Sequence, residues 1–125
     1  MKLRLRENTI RIRLLRSEIA QLEETGSLTE TIKFGADQKL VYMVAIDDNV
    51  AEVSAAVENA IISISIPKKA AESWINSEDV GLTNDQKVDQ QTVLNILIEK
   101  DFVCLSRPME GDNLDAFPNP EAEKC

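Results

Sequence analysis

Five basic side chains crowd the first thirteen residues at regular spacing: Lys2, Arg4, Arg6, Arg11 and Arg13 alternate with Leu3, Leu5, Ile10 and Ile12. Successive side chains of a β-strand point to opposite faces, so this pattern predicts two strands with an aliphatic face and a basic face. Guanidinium forks match phosphate and carboxylate oxygens two at a time, and the chemistry such an array offers is the holding of an anion. A hairpin turning at Glu7-Asn8 sets Leu5 against Ile10 and Leu3 against Ile12, and on the other face sets Arg4 against Arg11 and Lys2 against Arg13. Like charges directly opposite repel, but slipping the register would mix charged and apolar residues on both faces, which a buried face forbids. The repulsion therefore needs an answer: carboxylates from neighbouring strands, or a bound anion.

The candidate anion site comprises Arg4, Arg6, Arg11, Arg13 and Lys33, with Glu30, Glu52, Glu58 and Glu99 as charge partners. Lys33 shares a strand face with Thr29 and Thr31. Glu30 falls on the opposite face with Leu28, Ile32 and Phe34, where a buried carboxylate without a partner would be costly. It either reaches water near a strand end or pairs with an arginine. Further along, Glu52, Ser54, Glu58, Ser63, Ser65, Asn95 and Glu99 are assigned to the same polar face as the arginines.

Much familiar chemistry is absent. The chain has no histidine, which removes Ser-His and Cys-His nucleophilic pairs and any zinc site built on imidazole. No GxGxxG or Walker sequence occurs. Asp47-Asp48-Asn49 supplies too few oxygens for calcium and reads as a turn. Neither a metal nor a cofactor is expected. If the strands closed into a barrel, interleaved Arg, Lys and Glu could support metal-dependent hydrolysis of a polyphosphate, in the style of the triphosphate tunnel enzymes, although their Glu-x-Glu-x-Lys signature is missing. A third reading is structural: alternating basic residues guard an exposed strand against edge pairing, and acidic neighbours neutralise them.

Charge distribution narrows the partners. The chain of 125 residues has a net charge of −8, yet residues 1–16 hold six Lys or Arg against one Glu, leaving the rest strongly acidic. An acidic body opposes duplex nucleic acid and suits a small anion or an acidic protein segment at a local basic cleft. A homodimer is compatible with the same face. With no run of about 18 apolar residues, no membrane span is expected. The start alternates instead of entering an apolar core, so it does not read as a secretory signal, and the cytoplasm is the expected compartment. Cys104 and Cys125 form no CxxC and are read as reduced thiols.

The elements that must position these residues read in order. Ser17 is placed to cap a helix over residues 18–24, with Ile19 and Leu22 inward and Gly26 as its stop. Strands follow over residues 28–34 and 39–46, the second apolar on both faces. A second hairpin over 51–57 and 60–66 turns at Glu58-Asn59, which pairs Val57 with Ala60, Ala55 with Ile62 and Val53 with Ile64. Pro67 opens a helix from Lys68 to about Asn76, anchored by Ala70, Ala71, Trp74 and Ile75. Residues 80–83 form a short strand, 84–91 a polar loop or a weak helical turn, and 92–100 a strong strand that runs on through Phe102-Val103-Cys104. The fold class is α+β: a predominantly antiparallel, meandering sheet of six to eight strands, able to curl into a barrel, with two short helices. Residues 1–105 form one domain and 106–125 an irregular acidic tail pinned by Leu114 and Phe117. No internal repeat is seen at solenoid or propeller periods.

The run Lys2 to Leu14, the segment Glu99-Lys100-Asp101-Phe102-Val103-Cys104-Leu105 and Asp115-Ala116-Phe117-Pro118-Asn119-Pro120 resemble a family of small uncharacterised bacterial proteins across nearly the whole chain. The resemblance implies a bacterial cytosolic single domain and supplies no activity.

Overall fold

A computed structural model describes residues 1–102 and 114–118. Strands β1 (Lys2–Arg6) and β2 (Thr9–Leu14) lead into helix α1 (Arg16–Thr25), then β3 (Ser27–Lys33) and β4 (Lys39–Asp47). The same order follows a second time: β5 (Ser54–Glu58), β6 (Ile61–Pro67), α2 (Lys68–Ile75), β7 (Gly81–Lys87) and β8 (Val93–Lys100). A shift of 52 residues carries Lys2 onto Ser54 and Thr9 onto Ile61; a shift of 54 carries Ser27 onto Gly81 and Lys39 onto Val93. The domain is thus two hairpin-helix-hairpin halves, a repeat of two whose period lies outside the solenoid and propeller classes.

The halves exchange hairpins. One sheet has the order β1-β2-β8-β7 and the other β3-β4-β6-β5, so each takes one hairpin from either half. The hairpins within a sheet are antiparallel, but they join through parallel pairs, β2 with β8 and β4 with β6. The expected single antiparallel meander, able to curl into a barrel, is therefore replaced by two mixed four-stranded sheets that do not close on themselves. Local alternation predicts strands and faces, whereas a parallel pairing across the length of the chain leaves no local signal.

The opening hairpin has the predicted register, with Leu3 opposite Ile12, Arg4 opposite Arg11 and Leu5 opposite Ile10. Its turn places Glu7 at φ 52°. The second hairpin differs from expectation by two residues: Ala55 faces Ile64, Val57 faces Ile62, and the turn is Asn59-Ala60 with both residues at positive φ. A shift of two keeps Val53, Ala55, Val57, Ile62 and Ile64 on their predicted side, while Ala60 moves from the inner set into the exposed turn. Residues 81–87, read in part as polar loop, are a full strand.

The inward faces of both sheets make the core, where Ile12, Leu14, Val44, Ile64, Ile66, Ile96 and Ile98 are fully buried. The helices fill it from the chain-crossing end. Ile19 and Leu22 of α1 and Ala71 and Trp74 of α2 are buried at equivalent positions, the larger Trp74 compensating the smaller Ala71. Trp74 is a packing anchor, and its indole N–H meets no acceptor among the described residues. Gly26 stops α1 as expected, at φ 85°, with its N–H donating to Leu22 O at 2.8 Å.

Ser17 does not cap α1. The helix begins two residues earlier, at Arg16, and Glu18 accepts the Leu15 N–H at 2.8 Å. The Arg16 and Ser17 N–H groups instead donate to the backbone carbonyl and side chain of Asp115, at 3.0 and 3.1 Å, a carboxylate well placed against a helix N-terminus. Phe117 packs against the core and bridges to Phe102, while Leu114 stays exposed. The expected continuation through Val103 and Cys104 lies outside the described residues, as does Cys125. No helix among the described residues is long and apolar enough to cross a membrane.

Candidate functional site

Strand alternation puts Lys2, Arg4 and Arg6 of β1 and Thr9, Arg11 and Arg13 of β2 on the outward face of the first sheet, while Leu3, Ile10, Ile12 and Leu14 pack in or against the core and Leu5, on the same side, stays exposed at the strand's end. The parallel pairing with β8 then sets Asn95, Leu97 and Glu99 beside Thr9, Arg11 and Arg13. β7 completes the face with Gly81 opposite Glu99 and Thr83 opposite Leu97.

This face is concave. Arg4, Arg6, Thr9, Arg11, Thr83 and Glu99 line an open groove of about 790 Å³, with Glu7 and Asp79 also on its wall. A smaller depression of about 260 Å³ beside it is lined by Lys2, Leu3, Arg4, Arg11 and Arg13. Gly81 makes the groove's far wall possible: a Cβ there would sit 2.3 Å from the Ile98 carbonyl oxygen, so the backbones of β7 and β8 approach as no side chain would allow.

The opposed arginines are answered on one strand only. Glu99 takes Arg11 in a bidentate grip, Nε to Oε1 at 2.6 Å and a terminal guanidinium nitrogen to Oε2 at 3.2 Å. Lys2 reaches the carboxylate of Asp101 at 2.8 Å. Among the described residues, Arg4, Arg6 and Arg13 take part in no ion pair.

Of the residues predicted from sequence, Arg4, Arg6, Arg11 and Arg13 come together and Glu99 joins them. Lys33 does not: it ends β3 in the other sheet, opposite Lys39. Glu58 ends β5 on that second sheet and Glu52 lies in the preceding exposed segment, so neither is a partner of the arginines. The expectation failed because one continuous sheet was assumed, and two sheets point their polar faces in opposite directions. Thr9 was readable by alternation. Gly81 and Thr83 fall in the strand expected over residues 80–83, but their place beside the arginines depends on the pairing of β7 with β8 and of β8 with β2, which leaves no local signal.

Glu30 does reach water, its side chain being 41% exposed, but its partners are not an arginine. It sits half-buried where the outer strands of the two sheets approach, accepting from the Met1 amino group at 2.9 Å and from the Tyr42 hydroxyl. Burial alone would raise its pKa, but the hydrogen bonds from Tyr42 and Met1 outweigh this and hold it below the usual glutamate value. The same contacts act on the partners. Burial and the Glu30 carboxylate push the Tyr42 phenol up to about 12. At the Met1 amine burial pulls downward, yet hydrogen bonds to Glu18 and Glu30 leave it above its ordinary value.

The opposite seam between the sheets uses neutral groups. Asn84 donates to the Val53 carbonyl at 2.8 Å, and the Gln86 amide accepts from Ala55 N–H at 2.8 Å while donating to Ala55 O at 3.0 Å. A side chain there completes a bridge that backbone would make in a closed barrel.

The fold and face together define a small two-sheet α+β domain with an open, arginine-bearing groove. Residues 1–121 match a family of unknown function, DUF7009, and the chain belongs to that family. No curated protein and no solved structure matches it.

Proposed function

We propose that the protein is a binding module that takes a small anion, a phosphate or carboxylate group, in the groove of the first sheet. Arg4 and Arg6 are the ligand-binding cations. Both are exposed on one strand, two residues apart and so about 7 Å from each other along it. Thr83 adds a hydroxyl on the groove wall, the Thr9 hydroxyl donating instead to Asn95 Oδ1 at 3.4 Å, and Arg11, held by Glu99, forms a fixed floor beside them. The observation that carries this reading is the uneven neutralisation: one guanidinium of the groove is tied down by a carboxylate while Arg4 and Arg6 have no ion pair among the described residues.

The test is calorimetry and thermal melting with inorganic phosphate, pyrophosphate and citrate at low ionic strength. Binding is expected, weakening as salt rises, and lost in Arg4→Ala with Arg6→Ala while Lys33→Ala leaves it unchanged. No binding of any of these anions at low salt, or equal binding by the double variant, overturns the reading.

A further inference from the structure

A second concavity opens at the hairpin-tip end of the sandwich. Leu5, Ile10 and Leu94 from the first sheet and Ala55, Val57 and Ile62 from the second enclose about 310 Å³, near the lower limit of volumes that hold small ligands. The mouth leads to the core, since Ile10 and Ile62 are core residues, while Leu5 and Val57 stand 60% and 72% exposed on its rim. These two rim residues occupy equivalent places in the two halves, 52 positions apart.

The apolar mouth and the basic groove meet. Glu7 and Thr9 line both, so one hairpin turn is the shared wall between a surface of guanidinium groups and a surface of aliphatic ones. β1 serves the two in alternation, Arg4 and Arg6 outward to the groove and Leu5 inward to the mouth. Glu7 is exposed at the junction, and its charge disfavours an anion there. That charge favours an anionic head placed toward Arg4 and Arg6 and an uncharged group across the turn.

We infer that the ligand is a soluble anionic amphiphile, a phosphate or carboxylate head carrying a short alkyl or aryl group, held with its head in the groove and its apolar part in the mouth. This rests on the anion reading of the groove and adds the chemical class of the ligand. The volume limits the apolar part to a single ring or a short chain.

The experiment compares methyl phosphate, octyl phosphate below its micelle concentration, and octanol by calorimetry on the full chain. Octyl phosphate is expected to bind at least about tenfold tighter than methyl phosphate, since burying a methylene is worth roughly threefold to fourfold. Arg4→Ala should weaken both phosphates alike. Val57→Asp, at a rim position that is 72% exposed, should bring octyl phosphate down to the methyl phosphate level and leave methyl phosphate unchanged. Equal affinity for the two phosphates overturns the amphiphile inference while the anion reading stands. If neither phosphate binds, both fall. Octanol binding as tightly as octyl phosphate, or binding only to anionic phospholipid vesicles with no monomer bound, also overturns it.

Discussion

The two sheets share strand order and pairing pattern, yet the hairpins β1-β2 and β5-β6 differ at every outward position. Lys2, Arg4, Arg6, Thr9, Arg11 and Arg13 in the first correspond to Ser54, Ala56, Glu58, Ile61, Ser63 and Ser65 in the second. Inward, Ile10 and Ile62, Ile12 and Ile64, and Leu14 and Ile66 are equivalent and all buried. The core thus fixes the interior of both halves, while the outward face is free to vary. Because the second sheet stands with Ala56, Glu58, Ser63 and Ser65 where the first has arginines, the fold does not require a guanidinium at these places, and their removal is a clean test of binding.

The comparison can be broken hardest in the core. Trp74→Ala should cost about 3–5 kcal/mol and its counterpart Leu22→Ala about 2–5, with Trp74 the worse because Ala71 beside it offers little to collapse into the void. Urea denaturation of the two variants checks the order. Next comes the β7-β8 approach. Gly81→Ala should lose about 1–3 kcal/mol through overpacking against Ile98 and Glu99, whereas alanine at the equivalent Ser27 should be nearly neutral.

The two seams give a pH contrast. With its pKa held low, Glu30 stabilises the fold above the ordinary glutamate value of about 4.3, and that contribution is lost as pH falls through the folded-state value. The raised Met1 amine works the other way, stabilising below about pH 8 and losing its contribution as pH climbs through its folded value. Glu30→Gln should flatten the acid slope of stability, while Asn84→Ala at the neutral seam should lower stability by about 1 kcal/mol at every pH. Tyr42 is the chain's one tyrosine, so tyrosinate absorbance reports it alone. It should ionise near 12 in the native protein and near 10 in denaturant, and Glu30→Gln should lower the native value. The smallest effect belongs to the groove floor. Glu99→Ala should change stability by less than about 1 kcal/mol, the pair with Arg11 being partly exposed, yet raise anion affinity by freeing a third guanidinium.

What could be read from sequence follows from how local each constraint is. The register of β1-β2 was legible because the charged and apolar residues alternate without a break on both strands. Gly26 and the buried pairs of the helices were legible from equally local signals, the i, i+3 spacing of apolar residues and a glycine at the helix end. The second hairpin slipped by two because Ala and Ser on β5 make either register acceptable on both faces. Only the first half of β7 was legible, because Asn84 and Gln86 point inward as polar residues, and their purpose, bonding the backbone of Val53 and Ala55, exists only once the sheets meet. The groove was half legible: its arginines came from one hairpin, but its Glu99 wall arrives through a parallel pairing that nothing near either strand announces.

That pairing also governs how the chain can reach its structure. Thr9 and Asn95 are neighbours 86 residues apart, and each half contributes one hairpin to each sheet, so neither half alone holds a complete sheet. Hairpin β1-β2 must wait, its aliphatic face uncovered, until β8 has been made; folding should be slow for a domain of this size, with nearly all of it forming in one late step. A chain cut in the loop between β4 and β5 should yield two pieces that stay unfolded apart and assemble when mixed.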